Sequence, residues 1–140
     1  MKYELEIQSN VQTGFIDITQ QVQDCVRKSG VQDGICVVFV PHTTASPICN
    51  ENWDPGLQVD TLMILDRVAP SRLSGALAAH YRHSDGNAAA HIKASLLGAS
   101  QTLLVENGKL VLGTWQGVYL AEFDGPRHRR VLVRIIRDAE

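Results

Sequence analysis

Residues 40 to 55, VPHTTASPICNENWDP, gather side chains that can do chemistry. An apolar run ends at Val40. His42, the hydroxyls of Thr43, Thr44 and Ser46, the amide of Asn50 and the carboxylates of Glu51 and Asp54 follow in quick succession. Imidazole and carboxylate move protons and bind metals, while hydroxyls and amides hydrogen-bond to phosphate oxygens. The stretch is expected to be a site-forming loop at the end of a buried strand. Its polar groups should converge on a cavity with the segment HSDGNAAAH.

Four more histidines, His80, His83, His91 and His128, lie downstream. His83 opens a turn, and His91 lies near the start of an expected helix. A metal site needs several ligands brought together by the fold, and loop ends beside rigid elements supply them. No H-E-x-x-H or zinc-finger spacing is present. The imidazoles could hold a transition metal, or each could satisfy a local hydrogen bond. The helix start in DGNAAAHIKA offers unpaired N–H groups to an anion, unless Asn87 caps them. Lys93 could reach a phosphate or be an ordinary surface lysine. In GTWQGVYLAEFDGPRHR, Glu122 could be half of an ion pair, and Arg127 could grip a phosphate in bidentate fashion.

The elements that must position these residues follow from periodicity. KYELEIQ alternates and GFIDIT is short and apolar, so both read as strands. TQQVQDCVRKSG changes to helical spacing, with Thr19 as a cap and Gly30 at the end. GICVVFVP is apolar on both faces, as a central strand would be, and Pro41 closes it. PGLQVDTLMILD suits a helix with Pro55 in its first turn. SRLSGALAAHYRH reads as a short helix and an extended piece. DGNAAAHIKASLLG is a turn, an Asn87 cap, a helix and a terminal Gly98. TLLVENGKLVLG carries the Asn-Gly signal of a hairpin. TWQGVYLAEFDGP and RRVLVRIIR are two more strands, and Trp115, Tyr119 and Phe123 share one face of the first. Strands in blocks predict an α+β, β-sandwich-like fold of mostly antiparallel strands with interspersed helices, in one domain over residues 1–140.

Composition narrows the function. Thirteen basic against fifteen acidic side chains give a net charge of −2, which argues against a nucleic-acid partner. Arg127, Arg129, Arg130, Arg134 and Arg137 still concentrate positive charge near the C-terminus. The N-terminus MKYELEIQ has no apolar signal segment and no stretch would span a bilayer, so no membrane partner is expected. Cys25, Cys36 and Cys49 lack C-x-x-C spacing and read as packing residues in a reducing, cytoplasmic compartment.

Taken in order, HTTASPICNENWDP, YRHSDGNAAAHIKASLLGAS, NGKLVLGTWQGVYLAEFDGPR and RRVLVRI resemble the YjbQ family over nearly the whole chain. The resemblance implies a homotrimer with polar residues clustered at the subunit boundary. It implies that His42, His83 and His91 are metal ligands, for a divalent ion such as zinc or magnesium with a position left open. Ser46, Asn50, Glu51, Asp54, Asn87, Gln116, Glu122 and Arg127 match other polar motif positions, while His80 and His128 fall outside them. Pro47 departs from the family pattern and holds Ser46 extended. The family is described as having secondary thiamine-phosphate synthase activity. This transferase joins a pyrimidine methyl diphosphate to a thiazole phosphate and releases pyrophosphate. The expectation is therefore a metal-dependent enzyme on a phosphorylated small molecule. Glu51, Glu122 and Asp54 would be its catalytic carboxylates, and Ser46, Asn50, Asn87, Lys93, Gln116 and Arg127 would bind substrate. A metal-dependent hydrolase and a non-catalytic binding trimer are the alternatives.

Overall fold

The two ends of the chain close on each other. Tyr3 and Leu5 of β1 (Lys2–Gln8) lie in register with Val133 and Val131 of β8 (His128–Arg137), so apolar residues from both termini meet on one sheet face. The computed structural model describes residues 1–71 and 81–140. The other side of β8 pairs with β3 (Gly34–Phe39), which pairs with β5 (Ser100–Glu106) and, through it, β6 (Lys109–Leu110). Asn107 and Gly108 turn the β5–β6 hairpin with φ of 53° and 74°, the left-handed pair that a two-residue turn requires.

A second sheet has the order β2 (Gly14–Asp17), β7 (Gln116–Glu122), β4 (Ala45–Glu51). Every strand pairing among the described residues is antiparallel. The sheets share one core: Val38, Val105, Val131 and Val133 from the first pack with Val118 and Leu120 from the second and with Val22 and Val26 of α1 (Thr19–Ser29). With α2 (Pro55–Val68) and α3 (Ala88–Leu97), this is the expected α+β fold of mostly antiparallel strands.

Three elements differ from expectation. Residues 45–51 are strand β4, so the supposed loop reduces to a short turn at each end. Pro47 fits because β4 pairs only with β7, and an edge strand can spare an N–H. β3 is central but not buried on both faces. Cys36 and Val38 are enclosed, whereas Phe39 stays 41% exposed on the same outer face as the exposed Leu104 and Ile136, which flank Ile35. Among the described residues these side chains are left uncovered. Thr19 does not cap α1, because Ile18 takes the cap position and Thr19 instead accepts the Val118 N–H at 2.9 Å. The segment expected as a short helix and extended piece, with His80, falls largely outside the described residues.

Candidate functional site

Two consecutive residues of β8 fix the turn that carries His42. The backbone N–H of Arg130 donates to His42 Nε2 at 2.8 Å. Arg129, only 3% exposed, donates from Nη2 to the Thr44 hydroxyl at 2.8 Å and to the Thr44 carbonyl at 3.3 Å. Arg129 shares the inward parity of Val131, Val133 and Ile135, so strand geometry alone forces its guanidinium into the core. Glu122, on the inward face of β7 with Val118 and Leu120, meets it there and is fully enclosed.

The Glu122 carboxylate is fully engaged. It accepts from Arg129 Nε at 2.9 Å and from Arg129 Nη2, from the Ser9 hydroxyl at 2.7 Å, and from the Asp124 N–H at 3.1 Å. Burial works to raise its pKa, but the bonds from Arg129, Ser9 and Asp124 outweigh it, and the carboxyl sits below its ordinary value. Glu122 is thus half of a buried ion pair, one of the two roles its position allowed.

His42 and His91 come together. With Thr43, Ala45, Ala94, Ser95, Gly98 and Ala99 they line an open cleft of about 490 Å³. The rings of His83 and His91 meet edge to face, with centroids 4.9 Å apart, and His83 Nε2 is 3.6 Å from Asp85. Burial, then the charges of Arg129 and Arg130, hold the His42 pKa below the usual imidazole value.

This arrangement is not a metal site. Among the described residues no three His, Cys, Asp or Glu side chains are grouped so as to hold an ion. His42 spends its Nε2 lone pair on Arg130, and the near partner of His83 is Asp85. The expected divalent ion on His42, His83 and His91, zinc or magnesium, is overturned. So is the transferase reading, which required that ion to neutralise a diphosphate.

The expected carboxylates do not join the imidazoles either. Strand β4 separates the His42 turn from Glu51 by about 20 Å at the usual rise per residue. Asp54 caps α2, accepting the Gly56 N–H at 2.8 Å. Asn50 and Glu51 line a different pocket, of about 160 Å³, with Phe15, Gln58 and Tyr119. Gln116 accepts the Gly113 N–H at 2.8 Å on the exposed surface.

The remaining polar residues lie outside the wall of the cleft. Ser46 is buried and donates to the Ala94 carbonyl at 3.0 Å, which ties α3 to β4. Lys93 is no surface lysine: it is 4% exposed and reaches Asp66 and Ser71 at 3.2 Å each. Asn87 stands at the α3 cap position without capping it. Its amide donates to Asp124 at 2.8 Å, and its Oδ1 is buried without a partner. Asp124 also receives Arg127 Nη2 at 2.8 Å. Burial pushes the Asp124 carboxyl up, Asn87 and Arg127 pull it down further, and the net direction is down.

A family model described as UPF0047 protein YjbQ-like matches residues 3–138. The chain belongs to the YjbQ/UPF0047 family. UPF0047 protein MJ1081 of Methanocaldococcus jannaschii is 43% identical, over 99% of this chain and 96% of that protein. UPF0047 protein YugU of Bacillus subtilis is 42% identical, over 94% and 96%. Among solved structures, an uncharacterised YjbQ/UPF0047 protein of Clostridium acetobutylicum is 51% identical. It superposes with a TM-score of 0.89 over 96% of this chain and 99% of its own. A family member of unknown function from Sulfolobus solfataricus gives 0.88 at 37% identity, over 99% and 97%.

Within the family frame, the sequence singled out His42 and His91 but not the groups that hold them. The roles of Arg129, Ser9 and Asp124 were not read from it, and Thr44 stood only as one hydroxyl of the 40–55 stretch. A signal for Arg129 exists: an arginine in step with three inward apolar residues of a strand must be paired inside. No helix among the described residues is long and apolar enough to cross a membrane.

Proposed function

We propose that this YjbQ-family protein binds a phosphorylated small molecule in the His42–His91 cleft and acts on it by imidazole proton transfer. The observation that carries the reading is that two histidines from separate elements, the turn after β3 and helix α3, line one open cleft. Two features suit an oxyanion. Thr43 and Ser95 add hydroxyls to the wall. Arg127 stands half exposed beyond Asp124. A non-catalytic binding role is the second reading, favoured by the engagement or distance of Glu51, Asp54 and Glu122.

The working unit in this reading is a homotrimer in the cytoplasm. Self-association would cover the apolar residues that α2 leaves exposed, and the three unpaired cysteines suit a reducing compartment. Calorimetric titration with inorganic phosphate and pyrophosphate tests the cleft, and phosphate release from a panel of phosphomonoesters tests turnover. Expected are binding that His91→Ala weakens by about tenfold and turnover that it removes. Binding without turnover would select the second reading, and no binding of either anion would end both.

A further inference from the structure

We propose that His42 offers the cleft a fixed N–H: its Nε2 is committed to the Arg130 backbone, and its Nδ1 is a permanent hydrogen-bond donor to a ligand oxygen. This rests on the oxyanion reading of the cleft. A neutral imidazole has one donor nitrogen and one acceptor nitrogen. A hydroxyl or a water could satisfy either, but a backbone N–H can only donate. The nitrogen 2.8 Å from Arg130 N must therefore carry the lone pair, and the ring proton must sit on Nδ1.

The ring cannot easily swing out of this arrangement. Arg129 grips Thr44, two residues further along the same turn, by both hydroxyl and carbonyl, and Glu122 holds Arg129 from behind. Nδ1 itself has no partner among the described residues. His42 is only partly buried and lines the cleft, and the one buried side-chain atom left without a partner among the described residues is Asn87 Oδ1, not Nδ1. A donor of this kind recognises a phosphate or carboxylate oxygen. It does not bind a cation and does not serve as a base near neutral pH, because either would require the lone pair that Arg130 occupies. Glu122 and Arg129 are positioning residues here, acting through the turn.

Heteronuclear NMR on protein labelled at the histidine ring nitrogens reads the tautomer directly, with His42→Gln used to assign the signal. Ligand-free wild type at pH above 7 should show His42 in the Nδ1–H form. An Nε2–H form, or an average of the two, overturns the proposal whatever the cleft binds. Inorganic phosphate should then shift the His42 Nδ1 signal and leave that of surface His128 in place. Shifts at His91 without one at His42 overturn the role of His42 alone. Shifts at no histidine overturn it together with the oxyanion reading. His42→Asn places an amide nitrogen where Nδ1 stood and should keep phosphate affinity within about threefold, whereas His42→Gln should lose about tenfold. The reverse order would contradict a donor at Nδ1.

Discussion

Helices α1 and α2 are of similar length, 11 and 14 residues, yet they sit in the molecule differently. α1 buries Val22, Cys25, Val26 and Ser29 against the core shared by the two sheets. α2 buries nothing. Leu62 and Leu65 lean on the small cluster around Phe123, while Leu57, Val59, Met63, Ile64 and Val68 face outward. The polar face of α1 explains its orientation in full. α2 has apolar side chains on most of its circumference, so no rotation on one chain can satisfy it. The outer face of β3, with Phe39, Leu104 and Ile136 exposed, repeats the pattern. One half of the molecule is complete in itself and the other half is not, which is why self-association belongs to the proposal.

The largest effects are expected in the complete half. Arg129→Met strands the enclosed Glu122 carboxylate and should cost about 3–5 kcal/mol by chemical denaturation. The double variant Glu122→Met/Arg129→Met should recover much of that loss. A single variant that unfolds like wild type would mean that the pair does not hold the turn. Ile18→Ala, in the fully enclosed residue before α1, should cost about 2–5 kcal/mol through the cavity it leaves.

The matching change in the other half, Val59→Ala, should alter the unfolding of the dissociated chain by less than about 0.5 kcal/mol. An α2 variant as damaging as the α1 variant would erase the contrast. Val59→Glu and Met63→Glu should convert a trimer into monomers by light scattering without changing the secondary structure. Wild type that is monomeric at micromolar concentration would leave the exposed face of α2 unexplained.

The smallest expected effect is with pH. The His42 pKa is depressed in the folded chain, so His42 contributes stability that is fully present above about 6.5 and declines as pH falls below it. The Glu122 pKa is also depressed, and its contribution is present above the ordinary carboxyl range and lost below about 4.5. Denaturation midpoints should therefore decline in two stages on acidification, and His42→Asn should remove the first. A first stage that persists in this variant would assign it to another group.

Periodicity made most of the fold legible. Alternation in KYELEIQ, helical spacing in TQQVQDCVRKSG with Gly30 at its end, and Asn107–Gly108 all appear as strand, helix and hairpin. β4 was hidden because proline and polar residues suggest a loop, and only the pairing partner reveals an edge strand that tolerates both. At the site, residue type was enough to single out His42 and His91. It could not show that Asp54 is a helix cap, that Lys93 is buried against Asp66, or that His42 has already used one nitrogen. Those are facts about neighbours distant in sequence, and composition carries no trace of them.

β4 also limits how the family can change. Its side chains alternate between the two faces of the sheet, so removing one residue would exchange Ser46, Ile48 and Asn50 with Pro47 and Cys49. The Ser46 bond to Ala94 and the wall of the smaller pocket would be lost together. Length changes that keep the alternation without a bulge come in steps of two, each shifting the smaller pocket about 7 Å relative to the cleft. The spacing between the two sites can thus change only in discrete jumps, while the turn before the strand stays tied to Arg129 and Arg130.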